Sequence, residues 1–239
     1  MKKLLRIPLT VTMSDNTNPR IFPLKSKPFG MSYENWTIQF WRWLCSIPAD
    51  RNPVTDRTGI HCGEGQVGQP LFNLAFSDMG GAERTCTLPA GQHLLIPLNV
   101  VFVSKAEFPG ATTDEDLKNL AEQDESSNPF IFLSVDGKES SQLEVIGGEK
   151  ITDIKQFRVA TEAFDVNITD NPIFGLPGPT RAVSDGYWII LEALPPGPHQ
   201  IHFKASLTNP DTGKLFYSVD VKYTITVRED QTTLILARE

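Results

Sequence analysis

The chain nowhere strings together the roughly 18 unbroken apolar residues that a membrane-spanning helix requires, so no transmembrane segment is expected. Cysteine and histidine are scarce, at three and four residues. No cysteine belongs to a close Cys-x-x-Cys pair, which argues against a structural zinc site. Positive charge is short too: Lys+Arg 22 against Asp+Glu 29 leaves a net charge of -7 with no basic cluster, so a nucleic-acid partner is not expected. Gly-x-Ser-x-Gly is absent, which removes the usual serine nucleophile turn. The glycines at 63, 65 and 68 lead to no Lys-Ser/Thr and no helix, so they form no phosphate loop. Neither a tandem repeat nor a linker divides the chain.

What is present is ordinary globular material. Apolar residues make up 40% of 239, charged residues 21%, and mean hydropathy is -0.21, enough to bury a core and too apolar for a disordered chain. The first residues, MKKLLRIPLTVTM, carry the two lysines of a signal-peptide start. Arg6 and Pro8 interrupt the apolar stretch and no small-residue cleavage site follows, so the segment reads as a trimmed remnant or as the start of an intracellular chain.

Residues 1–30 are polar and proline-punctuated, with RIPLTVTM (6–13) the one strand-like piece, and read as an arm or edge strand. A helix is expected over 32–47. Ser32 caps it, Glu34 adds an early negative charge, and Pro48 marks its end. Tyr33, Trp36, Phe40, Trp43, Leu44 and Ile47 recur at three and four residues, with Ile38, Trp41 and Cys45 as a second stripe beside them. A helix apolar around most of its circumference is a buried one, so its tryptophans read as core packing in preference to a sugar-stacking platform. Residues 49–70 are turn chemistry almost throughout.

From Leu71 onward, period-two hydrophobicity takes over. Strands are expected in 70–77, 83–88, 93–104, 130–139, 142–146, 155–161, 162–169, 186–207, 215–227 and, closing the chain, TTLILA at 232–237. Asp136-Gly137 makes a turn. Pro195-Pro196-Gly197 is read as the turn of a hairpin between the two halves of 186–207, and 171–186 as a second long loop. One short acidic helix over 113–125 has Thr113 as its cap and Leu117, Leu120 and Ala121 inside; its carboxylates lie at helical spacing and form a solvated face, not a calcium loop. The fold class is therefore mainly β: a single-domain antiparallel β-sandwich or jelly roll over 31–239, with a buried aromatic N-terminal helix.

Cys62 and Cys86 offer a disulfide that would stabilise by about 3 to 4 kcal/mol in the chain-entropy description; two buried thiols are the other reading, with Cys45 left over and buried. For ligand contact, Tyr187, Trp188, His199 and His202 stand near the rim of the long loops. His199 and His202 are three apart, so in a regular strand they face opposite sides and do not share a metal; His61 and His93 are the remaining weak metal candidates. Asp56, Glu64, Asp185 and Glu192 are the carboxylates that a glycosidase pair would draw on, although Asp185-Gly186 reads most simply as a turn entering a strand. No cofactor is expected.

Certain segments in combination suggest kin. The aromatic helix leads into Ser46-Ile47-Pro48, Asn52-Pro53, Asp56, Gly59-x-x-Cys62 and Arg84-Thr85-Cys86-Thr87-Leu88-Pro89-Ala90-Gly91. Phe174-Gly175-Leu176-Pro177, Ser184-Asp185-Gly186-Tyr187-Trp188 and Leu194-Pro195-Pro196-Gly197-x-His199-x-Ile201-His202-Phe203 follow. The combination, over roughly residues 30 to 228, resembles a set of exported archaeal and bacterial β-rich proteins with no assigned activity. The resemblance implies a disulfide between cysteines at these positions and an extracellular or cell-surface location, from which this chain departs in lacking a clear export signal. The function expected is interaction: a non-catalytic protein acting by self-assembly, through edge strands or the N-terminal arm of a homo-oligomer, or by adhesion and ligand binding. The alternative is a metal-dependent or carbohydrate-active jelly-roll enzyme or sugar-binding module that takes a glycan on the loop rim.

Overall fold

The computed structural model describes residues 19–66, 70–78, 80–125, 129–209 and 212–229. The strand-like RIPLTVTM and the closing TTLILA lie outside them. The elements are β1 (Arg20–Ile21), α1 (Tyr33–Cys45), β2 (Leu71–Asn73), β3 (Gly80–Pro89), β4 (His93–Ser104), α2 (Asp114–Glu125), β5 (Phe130–Val135), β6 (Lys138–Glu139), β7 (Glu144–Val145), β8 (Phe164–Ile168), β9 (Gly178–Leu191), β10 (Gly197–Thr208) and β11 (Leu215–Arg228). They build a β-sandwich of two sheets in one domain. One sheet runs β2-β4-β9-β1-β7, with β8 also on β9; the other runs β3-β11-β10-β5-β6. Both sheets are mixed: the long pairs β4–β9 and β10–β11 are antiparallel, while β3 runs parallel to β11 and β2 parallel to β4.

Burial follows the side-chain period. In β11 from Val219 and in β3 from Ala82 every second residue is buried, the signature of a sheet with one wet face, whereas β9 is buried without interruption from Ala182 to Leu191, so both its faces are covered. On one face, Phe40 and Trp41 of α1 meet Trp188 at 4.9 and 6.2 Å between ring centres. The opposite face at this end carries Val183, which with Val103 packs under Leu117 and Ala121 of α2. Each helix begins on its expected cap. Ser32 Oγ accepts from Asn35 N, and Thr113 and Asp116 form a reciprocal box, each accepting the other's backbone N–H.

The Pro195-Pro196-Gly197 turn does not close a hairpin. β9 and β10 belong to different sheets, and the connection is an arch from one layer to the other. Alternation of buried and exposed residues suits a hairpin and an arch equally, so the pattern of 186–207 does not separate them. Half of the supposed second long loop is strand, since β9 begins at Gly178. Segment 155–161 opens as a 3₁₀ turn, and its second half bonds along β9 through Val159 and Thr161 N–H groups to Gly186 O and Ser184 O. Of the expected arm, Arg20–Ile21 lies inside its sheet between β9 and β7.

The 49–66 loop is ordered by buried polar groups. Asn52, fully buried, donates through Nδ2 to Leu44 O and Ile47 O at 3.0 Å each, tying the loop to the end of α1, and accepts from Val54 N. Arg84 is 2% exposed and all five of its N–H donors find acceptors: Asp56 O, Val54 O, Phe76 O, Ala75 O and the Tyr223 hydroxyl. The disulfide Cys62–Cys86 ties the same loop to β3, with Cα atoms 6.1 Å apart, and Cys45 is free and buried.

Candidate functional site

At one end of the sandwich, β4 and the β10–β11 pair bound a cleft of about 340 Å³. Its walls are aromatic: Trp41 from α1, Phe76 beyond β2, Phe102 on β4, Phe174 from the 171–177 segment, and Phe216 and Tyr217 at the start of β11. Trp41 is the hub of the inner wall, with Phe102, Phe76 and Phe174 ring centres at 4.8, 5.9 and 6.3 Å. Its indole N–H donates to Ser184 Oγ at 2.7 Å, which fixes the ring.

Two β-bulges aim these walls. In β4 the register slips between Pro97, opposite Trp188, and Asn99, opposite Tyr187; Leu98 is the extra residue. In β11 it slips where Leu207 faces Tyr217 and Thr208 faces Leu215, so Phe216 has no partner and both Phe216 and Tyr217 reach the cleft. Bulges re-aim side chains in this way and concentrate beside functional sites. The loop wall is seated by Gly175, whose φ of 65° and close approach to Ala106 and Glu107 (3.1 Å from where a Cβ would stand) bring the neighbouring Phe174 in.

Polar groups are few. Asn99 is buried, Asp78 lies at the mouth paired with Arg57 at 3.0 Å, and Glu107 lies deeper. Glu107 accepts from Ser104 Oγ at 3.0 Å. Burial pushes its carboxyl above the usual glutamate range, with the Ser104 bonds acting the other way. The Cys45 thiol is pushed up to about 12, by burial first and then by the charge of Glu107, so it is not a poised nucleophile.

A larger cleft of about 560 Å³ opens between α2 and the segment along β9. Both of its cations are already paired: Arg158 holds Asp185 with two bonds of 2.9 and 2.7 Å, and Lys118 holds Glu162 at 2.6 Å, with Glu34 and Glu122 the remaining carboxylates of the lining.

The residues singled out from sequence are dispersed. Tyr187 is 5% and Trp188 0% exposed; Trp188 packs on Phe40, and its indole N–H has no hydrogen-bond partner among the described residues. His199 and His202 do point to opposite faces of β10. His199 ties Asp136 Oδ2 (2.7 Å) to Pro195 O (2.7 Å), while His202 on the wet face meets Asp220 at 2.6 Å. His93 accepts from Ala193 N and packs against Phe22 and Phe29; burial lowers its pKa against the opposing charge of Glu192. His61 sits in the loop with its backbone N–H on Asp56. Among the described residues, no group of three or more His, Cys, Asp and Glu side chains is placed to hold a metal ion. The four carboxylates are equally separate: Glu64 pairs with Arg51, Asp185 with Arg158 and Glu192 with Arg20. Burial acts to raise the Asp56 carboxyl, but N–H groups of His61 and Thr58 outweigh it and hold it below the usual range.

The cleft residues other than Trp41 escaped notice in sequence because a phenylalanine lining a cavity has the same pattern as one in a core. One signal was legible: Asn99, a polar residue two places after Pro97 inside an apolar strand, marks a break in the ladder. No family model, no curated protein and no solved structure matches this chain. No helix among the described residues is long and apolar enough to cross a membrane.

Proposed function

We propose that this is a non-catalytic, exported ligand-binding protein that takes a small molecule in the aromatic cleft at the end of its β-sandwich. The single observation that carries the reading is the cleft itself: six aromatic side chains around about 340 Å³, with bulges in both strand walls turning residues into it. Pockets for small molecules have this composition, apolar walls with a few polar groups that orient the ligand. Export is supported by the Cys62–Cys86 bridge, since disulfides persist in oxidising compartments. The absence of catalysis is supported by the engagement of reactive groups elsewhere: Cys45 is buried with its thiol pKa raised, and both ring nitrogens of His199 are taken up, by Asp136 and by Pro195 O.

The test is a titration panel of neutral saccharides, small aromatics and amines, read by tryptophan fluorescence and by melting temperature. Saturable binding is expected for at least one compound, weakened roughly tenfold by Phe216→Ala, the loss expected when an exposed aromatic hot spot is truncated. Phe216 is 58% exposed, so that variant should melt as the parent does. Binding that Phe216→Ala leaves untouched, or none across the panel, overturns the reading.

A further inference from the structure

We infer that the cleft selects an organic cation, an amine or quaternary ammonium on a small apolar body, with Glu107 as its counter-charge. The inference rests on the cleft being the ligand site and goes on to its chemistry. The lining contains two carboxylates, Asp78 and Glu107, and no lysine, arginine or histidine. Asp78 already holds Arg57 at the mouth. Glu107 is held by Ser104 Oγ and lies within ion-pair distance of no cation among the described residues. A carboxyl kept half-buried beside Trp41, Phe102 and Phe174 is costly to ionise, and its burial raises its pKa accordingly. The Cys45 thiol, which feels the charge of Glu107, is neutral, and the cleft's other titratable groups, Asp78 and Tyr217, carry no positive charge, so none of them compensates it.

An ammonium between ring faces and a carboxylate would supply the missing charge. The faces of Trp, Tyr and Phe carry negative electrostatic potential and attract a cation without demanding directional hydrogen bonds. A neutral saccharide asks for several donors and acceptors spread around its ring, and the Asn99 amide and the Tyr217 hydroxyl are the neutral donor–acceptor groups that this lining adds to its carboxylates. The chain's net charge of -7 favours approach of a cation over an anion.

The test compares choline with its neutral carbon isostere, 3,3-dimethylbutan-1-ol, on the full chain by calorimetry and ligand-observed NMR into the millimolar range. Choline should bind saturably and more tightly than the isostere by roughly tenfold or more. Glu107→Gln should abolish that preference by weakening choline alone, whereas Phe216→Ala should weaken both. Equal binding of the two, or preference for the isostere, overturns the cation inference and leaves the cleft as a ligand site. No binding of choline also overturns it, and the neutral compounds of the panel above then decide the cleft reading separately. Should Glu107→Gln fail to fold, the comparison on the parent protein decides by itself.

Discussion

Arg84 shows how much one side chain organises here. A guanidinium at 2% exposure would be expected beside a carboxylate, yet its donors end on four backbone carbonyls and the Tyr223 hydroxyl, and its Cζ lies 5.4 Å from the Tyr223 ring centre. It joins the 49–66 loop, the strand-edge segment 74–77 and β11. Arg84→Met leaves the Asp56, Val54 and Phe76 carbonyls without this donor, Ala75 O keeping the Tyr223 hydroxyl, and should destabilise by about 3 kcal/mol or more in urea unfolding. Arg84→Lys should recover little, because one ammonium cannot span the same fork of acceptors. Glu107 yields a prediction in pH. Its folded-state pKa is raised, so between the usual glutamate value and the raised one the native protein holds a proton that the unfolded chain releases, and stability falls as pH rises through that window. Glu107→Gln should remove this slope. Melting temperatures of parent and variant, taken from pH 4 to 8, should diverge in favour of the variant as pH rises; parallel curves would show that Glu107 titrates normally.

Elements show where local pattern suffices and where it fails. The helix was legible in its stripe, since Tyr33, Phe40 and Leu44 point inward whatever they meet, and Ser32 marks its start by the chemistry of its oxygen. Asp136-Gly137 was legible as well: both residues have positive φ, 50° and 77°, as the two-residue turn joining β5 to β6 requires. Gly186 was read as a turn and is something else. It lies within β9 at φ 148°, and a Cβ there would stand 2.3 Å from Asn99 O and 2.6 Å from Val100 Cα of β4. The residue is glycine because the neighbouring strand's backbone passes too close just after the Leu98 bulge. Gly186→Ala should therefore push the two strands apart and cost about 3 kcal/mol, measured as a lower urea midpoint. An alanine variant as stable as the parent would mean that this close approach relaxes freely.

For the whole molecule, the sequence by itself determined the kinds of element: a buried aromatic helix, strands from Leu71 onward and an acidic surface helix. These follow from side-chain spacing and residue chemistry, properties of a short stretch that hold wherever the stretch packs. Only the tertiary structure decided that β9 and β10 arch between sheets, that Phe102, Phe174 and Phe216 line a cavity, and that Glu107 sits behind them near Cys45. The reason is physical: burial removes an aromatic ring from water equally well in a core or in a cleft wall, so period and hydrophobicity do not distinguish the two. What does distinguish them is contact among segments separated by tens of residues, which exists only once the chain has closed on itself.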